Sequence, residues 1–121
     1  MRILVVDDSR AMRMIVKRTL RQAGYDAAEV DEAANGAEAL QAIQAAPPDL
    51  ILCDWNMPEM SGFELLLEIK KTGCTSKFGF ITAESSAEMQ VKAAEAGALF
   101  LISKPFTADS FQQRLDPVMK A

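Results

Sequence analysis

Four short apolar runs, at residues 3–6, 50–53, 78–81 and 100–102, recur along the chain, and each is followed by a segment whose apolar residues have helical spacing. Runs that are apolar at nearly every position suit strands buried on both faces, as in a parallel sheet covered by helices. In the first helical segment, residues 10–23, the apolar Met12, Ile15, Val16, Leu20 and Ala23 alternate with Arg10, Arg13, Lys17, Arg18 and Arg21, and Gly24 supplies a stop. The later helical segments lie at 63–71, 86–96 and 108–115. A weaker strand at 28–33 and a helix at 37–45, set off by Asn35-Gly36 and Pro47-Pro48, complete five strand–helix units. Parallel neighbours need a crossover, so the pattern predicts an α/β fold with a doubly wound, five-stranded parallel sheet. The 121 residues fit a single domain, 1–121, able to bury a core without disulfides or structural metal. Pro117 predicts that the last helix ends or bends there, since proline lacks an N–H and costs about 3 kcal/mol in a helix interior.

Composition removes several functions. Thirteen Lys and Arg against 17 Asp and Glu leave a net charge of −4, the wrong sign for holding nucleic acid through its phosphates. The absence of histidine excludes Ser-His and Cys-His nucleophile pairs, His-ligated zinc and a phosphohistidine of the chain's own. Cys53 and Cys74 form no C-x-x-C pair and read as free thiols. The opening MRILVVDD is too short an apolar run for a signal peptide, and no apolar stretch approaches the roughly 20 residues of a membrane span. The expectation is a cytoplasmic, reduced protein without membrane contact.

In doubly wound sheets ligands bind outside the carboxyl ends of the strands. There the sequence places Asp7 and Asp8 after the first strand, Asp54 after the third, Thr82 after the fourth and Lys104-Pro105 after the fifth. Any one of these alone reads as a cap or a turn residue, but all stand at the same edge on four different strands. Carboxylates crowded in a crevice repel unless a cation compensates, and an all-oxygen donor set suits Mg²⁺, which completes its shell with water and phosphate oxygens. Lys104 and Thr82 supply the charge and the hydroxyl that a transferring phosphoryl group needs, leaving Asp54 as a nucleophile able to form an acyl phosphate.

The motifs V-V-D-D-S at 5–9, D-W-N-M-P at 54–58 with Gly62, I-T-A-E at 81–84, A-G-A at 96–98 and K-P-F at 104–106 run through the whole chain in order. The chain resembles a response-regulator receiver domain, most closely a stand-alone chemotaxis receiver of the CheY type. The resemblance implies a flavodoxin-like (βα)5 fold with strand order 2-1-3-4-5. It implies that Asp54 takes a phosphoryl group from the phosphohistidine of a histidine kinase or histidine phosphotransfer domain. By the same resemblance Asp8, Asp54 and Asn56 hold Mg²⁺ and Asp7 acts through water, while Lys104, preceding a cis Pro105, contacts the phosphoryl group. Thr82 moves as a switch, Asn56 and Glu84 set the phosphoryl lifetime, and Ala11, Met14, Ile15 and Pro105 dock the phosphodonor. A downstream target then binds the face of the fourth helix, fifth strand and fifth helix.

One departure stands out. The family usually carries Tyr or Phe three residues before the lysine, where this chain has Leu101, with Phe100 beside it. Adjacent strand residues face opposite sides, so Phe100 reaches that position only through a register shift. The expectation is that coupling runs through the loop at 82–86, with Leu101 changing exposure little. The acidic Glu84, Glu88 and Glu95 near the fourth helix read as a solvated face. Two other functions fit the constellation: a small Mg²⁺-dependent phosphohydrolase with Asp54 as nucleophile, and a constitutive binding module. Hydrolases of the haloacid dehalogenase type need a second Asp two residues after the nucleophile, where Asn56 stands.

Overall fold

The structure is a computed structural model and describes residues 1–120. Its strands are β1 (Arg2–Val6), β2 (Glu29–Ala33), β3 (Leu50–Asp54), β4 (Lys77–Thr82) and β5 (Phe100–Ser103). All neighbours pair in parallel, in the order β2-β1-β3-β4-β5, which is the flavodoxin-like order the resemblance implied. The helices are α1 (Arg10–Leu20), α2 (Gly36–Ala45), α3 (Gly62–Lys71), α4 (Ala87–Glu95) and α5 (Ala108–Met119). After α1 the chain makes a wider π-type turn, Arg21–Tyr25, in which Gly24 takes φ 99°. A left-handed residue here is what glycine allows without a Cβ clash. No helix among the described residues is long and apolar enough to cross a membrane.

Alternation along the strands sorts the core into two layers. Ile3, Val5, Leu50, Leu52, Ile81, Phe100 and Ile102 face Val16 and Leu20 of α1 and Phe111 and Leu115 of α5. Leu4, Val6, Ile51, Cys53, Phe78, Phe80 and Leu101 face α2, α3 and α4. Cys53 is buried, Cys74 is partly so, and both are free thiols.

Each helix starts with a side-chain cap: Ser9, Asn35, Ser61, Ser86 and Thr107 accept from the backbone N–H groups of Met12, Glu38, Glu64, Met89 and Ser110. A cap is worth about 1 kcal/mol, and these five fix where the chain turns from loop to helix. Because every strand leads into a helix, all the caps lie at the edge carrying the strands' carboxyl ends.

Two local results differ from expectation. The last helix runs through Pro117 to Met119 instead of ending near residue 115. The missing N–H deletes only the bond to the carbonyl of exposed Gln113 in the final turn, where water can take its place. The second concerns Gly79, which lies within the apolar run of β4 opposite Phe100 in register. The Phe100 ring covers it so closely that a Cβ at position 79 would stand 2.1 Å from its Cε1.

Both residues are buried, so the ring has little room to yield. Gly79→Ala should therefore cost about 1–3 kcal/mol, the usual penalty of overpacking. Phe100→Leu should cost less in the Gly79→Ala background than in the wild type, as read from urea denaturation midpoints. Strictly additive losses would mean that the two residues do not share this space.

Candidate functional site

The strand ends deliver the acidic residues to one place. The Asp7 N–H donates to the Ala33 carbonyl at 3.1 Å, extending the β1–β2 pairing by one residue and turning Asp7 inward. Asp54 ends β3 and is 9% exposed; Asp7 is buried and Asp8 is exposed. Carboxylate oxygens of the three lie within 4.8 Å of one another. Lys104 reaches this cluster from the loop after β5: its Nζ is 3.4 Å from Asp54 Oδ2 and 3.7 Å from Asp7 Oδ2. The Lys104 N–H donates to the Thr82 carbonyl at 2.8 Å, which ties the root of the lysine to the end of β4, and the Lys104–Pro105 peptide is cis.

The two inner carboxylates are held differently. Asp7 Oδ1 accepts from the Ser9 N–H at 2.9 Å, and its backbone carbonyl accepts from Arg13 Nη1 at 2.8 Å. Asp54 has only long contacts, from the Asn56 N–H at 3.3 Å and from Lys104 at 3.4 Å. A charge-assisted bond at full strength is nearer 2.8 Å, so the Asp54 oxygens keep capacity for another partner. Burial raises the Asp7 carboxyl above the usual carboxylate range, and the Asp54 charge adds to this, while the Ser9 N–H and the Lys104 ammonium oppose it. One ammonium among three carboxylates leaves an excess of negative charge and a donor set made only of oxygen. Such a set fits a hard divalent cation.

The loop after Asp54 is shaped to leave that carboxylate open. A Cβ on Gly62 would stand 2.1 Å from the Asp54 carbonyl oxygen, so only glycine lets α3 begin against the site's backbone. The Gly62 N–H donates to the Trp55 carbonyl at 2.8 Å, and Glu59 takes φ 69° in the intervening turn.

The remaining expected residues fall into separate groups. Thr82 is fully buried at the end of β4, and its hydroxyl accepts from the Glu84 N–H at 3.3 Å. Asn56 and Glu84 are exposed, each two residues after an inner site residue. Leu101 packs on the α4 side of the sheet and Phe100 on the α1/α5 side, with β5 in plain register against β4, so no shift carries Phe100 into the place of Leu101. Ala11, Met14, Ile15 and Pro105 are all exposed, Met14 at 60%.

Sequence reasoning missed the aromatic packing beside the site. Trp55 lies 4.6 Å from the Phe80 ring and 5.3 Å from the Phe63 ring, centroid to centroid. Its signal was present, because Trp55 follows Asp54, Phe63 follows Gly62 and Phe80 precedes Thr82 by two.

Residues 3–116 match the response regulator receiver domain. The chain is similar to chemotaxis protein CheY-3 of Vibrio cholerae, 38% identical over 122 residues covering 99% of this chain and 92% of that protein. It is also similar to chemotaxis protein CheY1 of Helicobacter pylori, 39% identical over 125 residues, 98% and 97% of the two chains. Among solved structures, Vibrio cholerae CheY4 superposes with a TM-score of 0.86 at 36% identity, covering 98% of each chain. The matched residues 3–116 include Asp7, Asp8, Asp54, Thr82 and Lys104, and the relatives cover nearly the whole chain: the chain belongs to the response-regulator receiver family, whose members are signalling proteins and not enzymes for an external substrate.

Proposed function

We propose that the protein is the phosphorylation-controlled switch of a chemotaxis-type two-component pathway, with Asp54 as its phosphoacceptor. The observation that carries this reading is the Asp54 carboxylate itself: it ends β3, is loosely hydrogen-bonded, and has the Lys104 ammonium 3.4 Å away beside two further carboxylates. An Asp54 oxygen attacks the phosphorus of a partner's phosphohistidine. The P–N bond breaks, its electron pair returns to the imidazole, and an aspartyl phosphate forms. The histidine kinase or histidine phosphotransfer domain thus supplies the histidine that this chain lacks. Lys104 balances charge on the phosphoryl oxygens, and Thr82 donates its hydroxyl to one of them when the loop after β4 closes. Mg²⁺ suits the oxygen-only donors of Asp8, Asp54 and the Asn56 carbonyl, with Asp7 acting through water, and when bound it neutralises charge developing on the phosphoryl oxygens.

The exposed face of α1 is where the phosphodonor docks. Met14 and Ile15 lie there with Ala11, close in sequence to Asp8, and Pro105 comes from the loop that carries Lys104. Arg10, Arg18 and Arg21 line the same face and form no ion pair among the described residues, which favours a donor with an acidic surface. The downstream target binds the α4–β5–α5 face, where Val91 and Leu99 are exposed among Glu88 and Glu95.

Asp54→Asn should abolish labelling, because the amide is a poor nucleophile and a weaker cation ligand. The wild type should saturate at one phosphoryl group per chain when given a labelled phosphodonor. Labelling of the variant to the wild-type level would refute the assignment, and release of phosphate from external phosphate monoesters would indicate a hydrolase.

Hydrolysis requires water in line with phosphorus, and Asn56 and Glu84 flank its approach. Replacing both with apolar residues should lengthen the aspartyl phosphate lifetime by at least about tenfold, a loss of about 1.4 kcal/mol of transition-state stabilisation. Decay followed by loss of label tests this, and an unchanged rate would contradict it.

A further inference from the structure

α4 is the most lightly anchored helix of the fold. Its only buried residue is Ala93, whereas α3 buries Gly62, Leu65, Leu66 and Ile69. Beside β5, Gln90, Ala93, Ala98 and Leu101 border a groove of about 160 Å³. The leucine leaves this space open where an aromatic ring would have more volume to fill. A helix with so few buried contacts is the element whose position is cheapest to change.

Its second tether comes from the other direction. Lys92 Nζ sits 4.7 Å from the centroid of the Phe63 ring, and Phe63 stacks on Trp55 with an interplanar angle of 19°. Trp55 is bonded to Asp54 and also packs on Phe80, which lies two residues before Thr82 on the same face of β4. Both groups expected to change on phosphorylation therefore bear on one indole. Asp54 acts on it through the chain, and Thr82 through the strand that holds Phe80.

We propose that the phosphorylation state of Asp54 reaches α4 through the Trp55–Phe63–Lys92 stack, which serves in this chain where a ring at position 101 is missing. This rests on Asp54 being the phosphoacceptor. Phosphorylation replaces the −1 carboxylate at the end of β3 with an acyl phosphate of about −2, and closure of Thr82 toward it draws on β4. The Trp55 and Phe63 rings shift with their backbones, and the cation–π contact to Lys92 strengthens or breaks with them. Because that contact reaches the middle of α4, a small ring displacement biases the placement of the whole helix.

Hydrogen exchange of the α4 amides, measured with and without phosphorylation by a small-molecule phosphoramidate and Mg²⁺, tests the proposal. Mass spectrometry reads the phosphoryl group in the same samples. In the wild type, α4 exchange should change by about fivefold or more, an ordinary coupling between two sites. In Phe63→Leu and in Lys92→Met that change should be lost while Asp54 still takes up one phosphoryl group, and Lys92→Arg should restore it. Lys92 is exposed, so its variants test the idea even where Phe63→Leu folds poorly. A wild-type response of α4 in Lys92→Met would overturn the proposal, as would a silent α4 in the phosphorylated wild type. Failure of the wild type to take up phosphate would instead remove the phosphoacceptor reading, and this inference with it.

Discussion

The arrangement turns on three carboxylates held within 4.8 Å of one another with a single ammonium among them. That concentration of like charge has to be imposed, because carboxylates this close repel. The raised Asp7 carboxyl records the cost: burial is its main cause and Asp54 adds to it. The parallel sheet supplies the force. β1 and β3 are adjacent and paired in register, so the residues after Val6 and Cys53 are brought side by side whatever their charge. The apolar layers on both sides of the sheet provide the stability that offsets the repulsion.

On the proposed function, the same architecture separates input from output. α1 and α5 cover one face of the sheet, and α2, α3 and α4 cover the other. α1 starts beside Asp8 and carries an arginine-rich face with exposed Met14 and Ile15, the surface we propose for the donor. α4 lies across the sheet, held by Ala93, by partly buried Met89 and by Lys92 over Phe63, and presents acidic residues around Val91. The two surfaces differ in sign.

Much of this was legible in the sequence because its signals are local. The unbroken apolar runs of the strands, the helical spacing that follows them and the acidic residues closing β1 and β3 depend on near neighbours only. The order of the strands came instead from the likeness of the motifs to a family, since apolar runs alone do not say which strands pair. Gly79 escaped notice because its role depends on Phe100, a residue 21 positions away and opposite it in the sheet. The end of α5 was misjudged by weighting Pro117 as if it lay in a helix interior, whereas it sits in the last turn. The Trp55, Phe63 and Lys92 contacts join three elements and have no shared periodicity to reveal them.

The central claim is that the acidic cluster is strained by its own charge and completed by a cation, and denaturation midpoints of the wild type and Asp8→Asn with and without Mg²⁺ test it most directly. Without Mg²⁺ the variant should be the more stable protein, because one of three crowded charges is gone. With Mg²⁺ the wild type should gain stability through binding to the native state and the order should reverse. A wild type indifferent to Mg²⁺, or a variant that is less stable in its absence, would contradict the account.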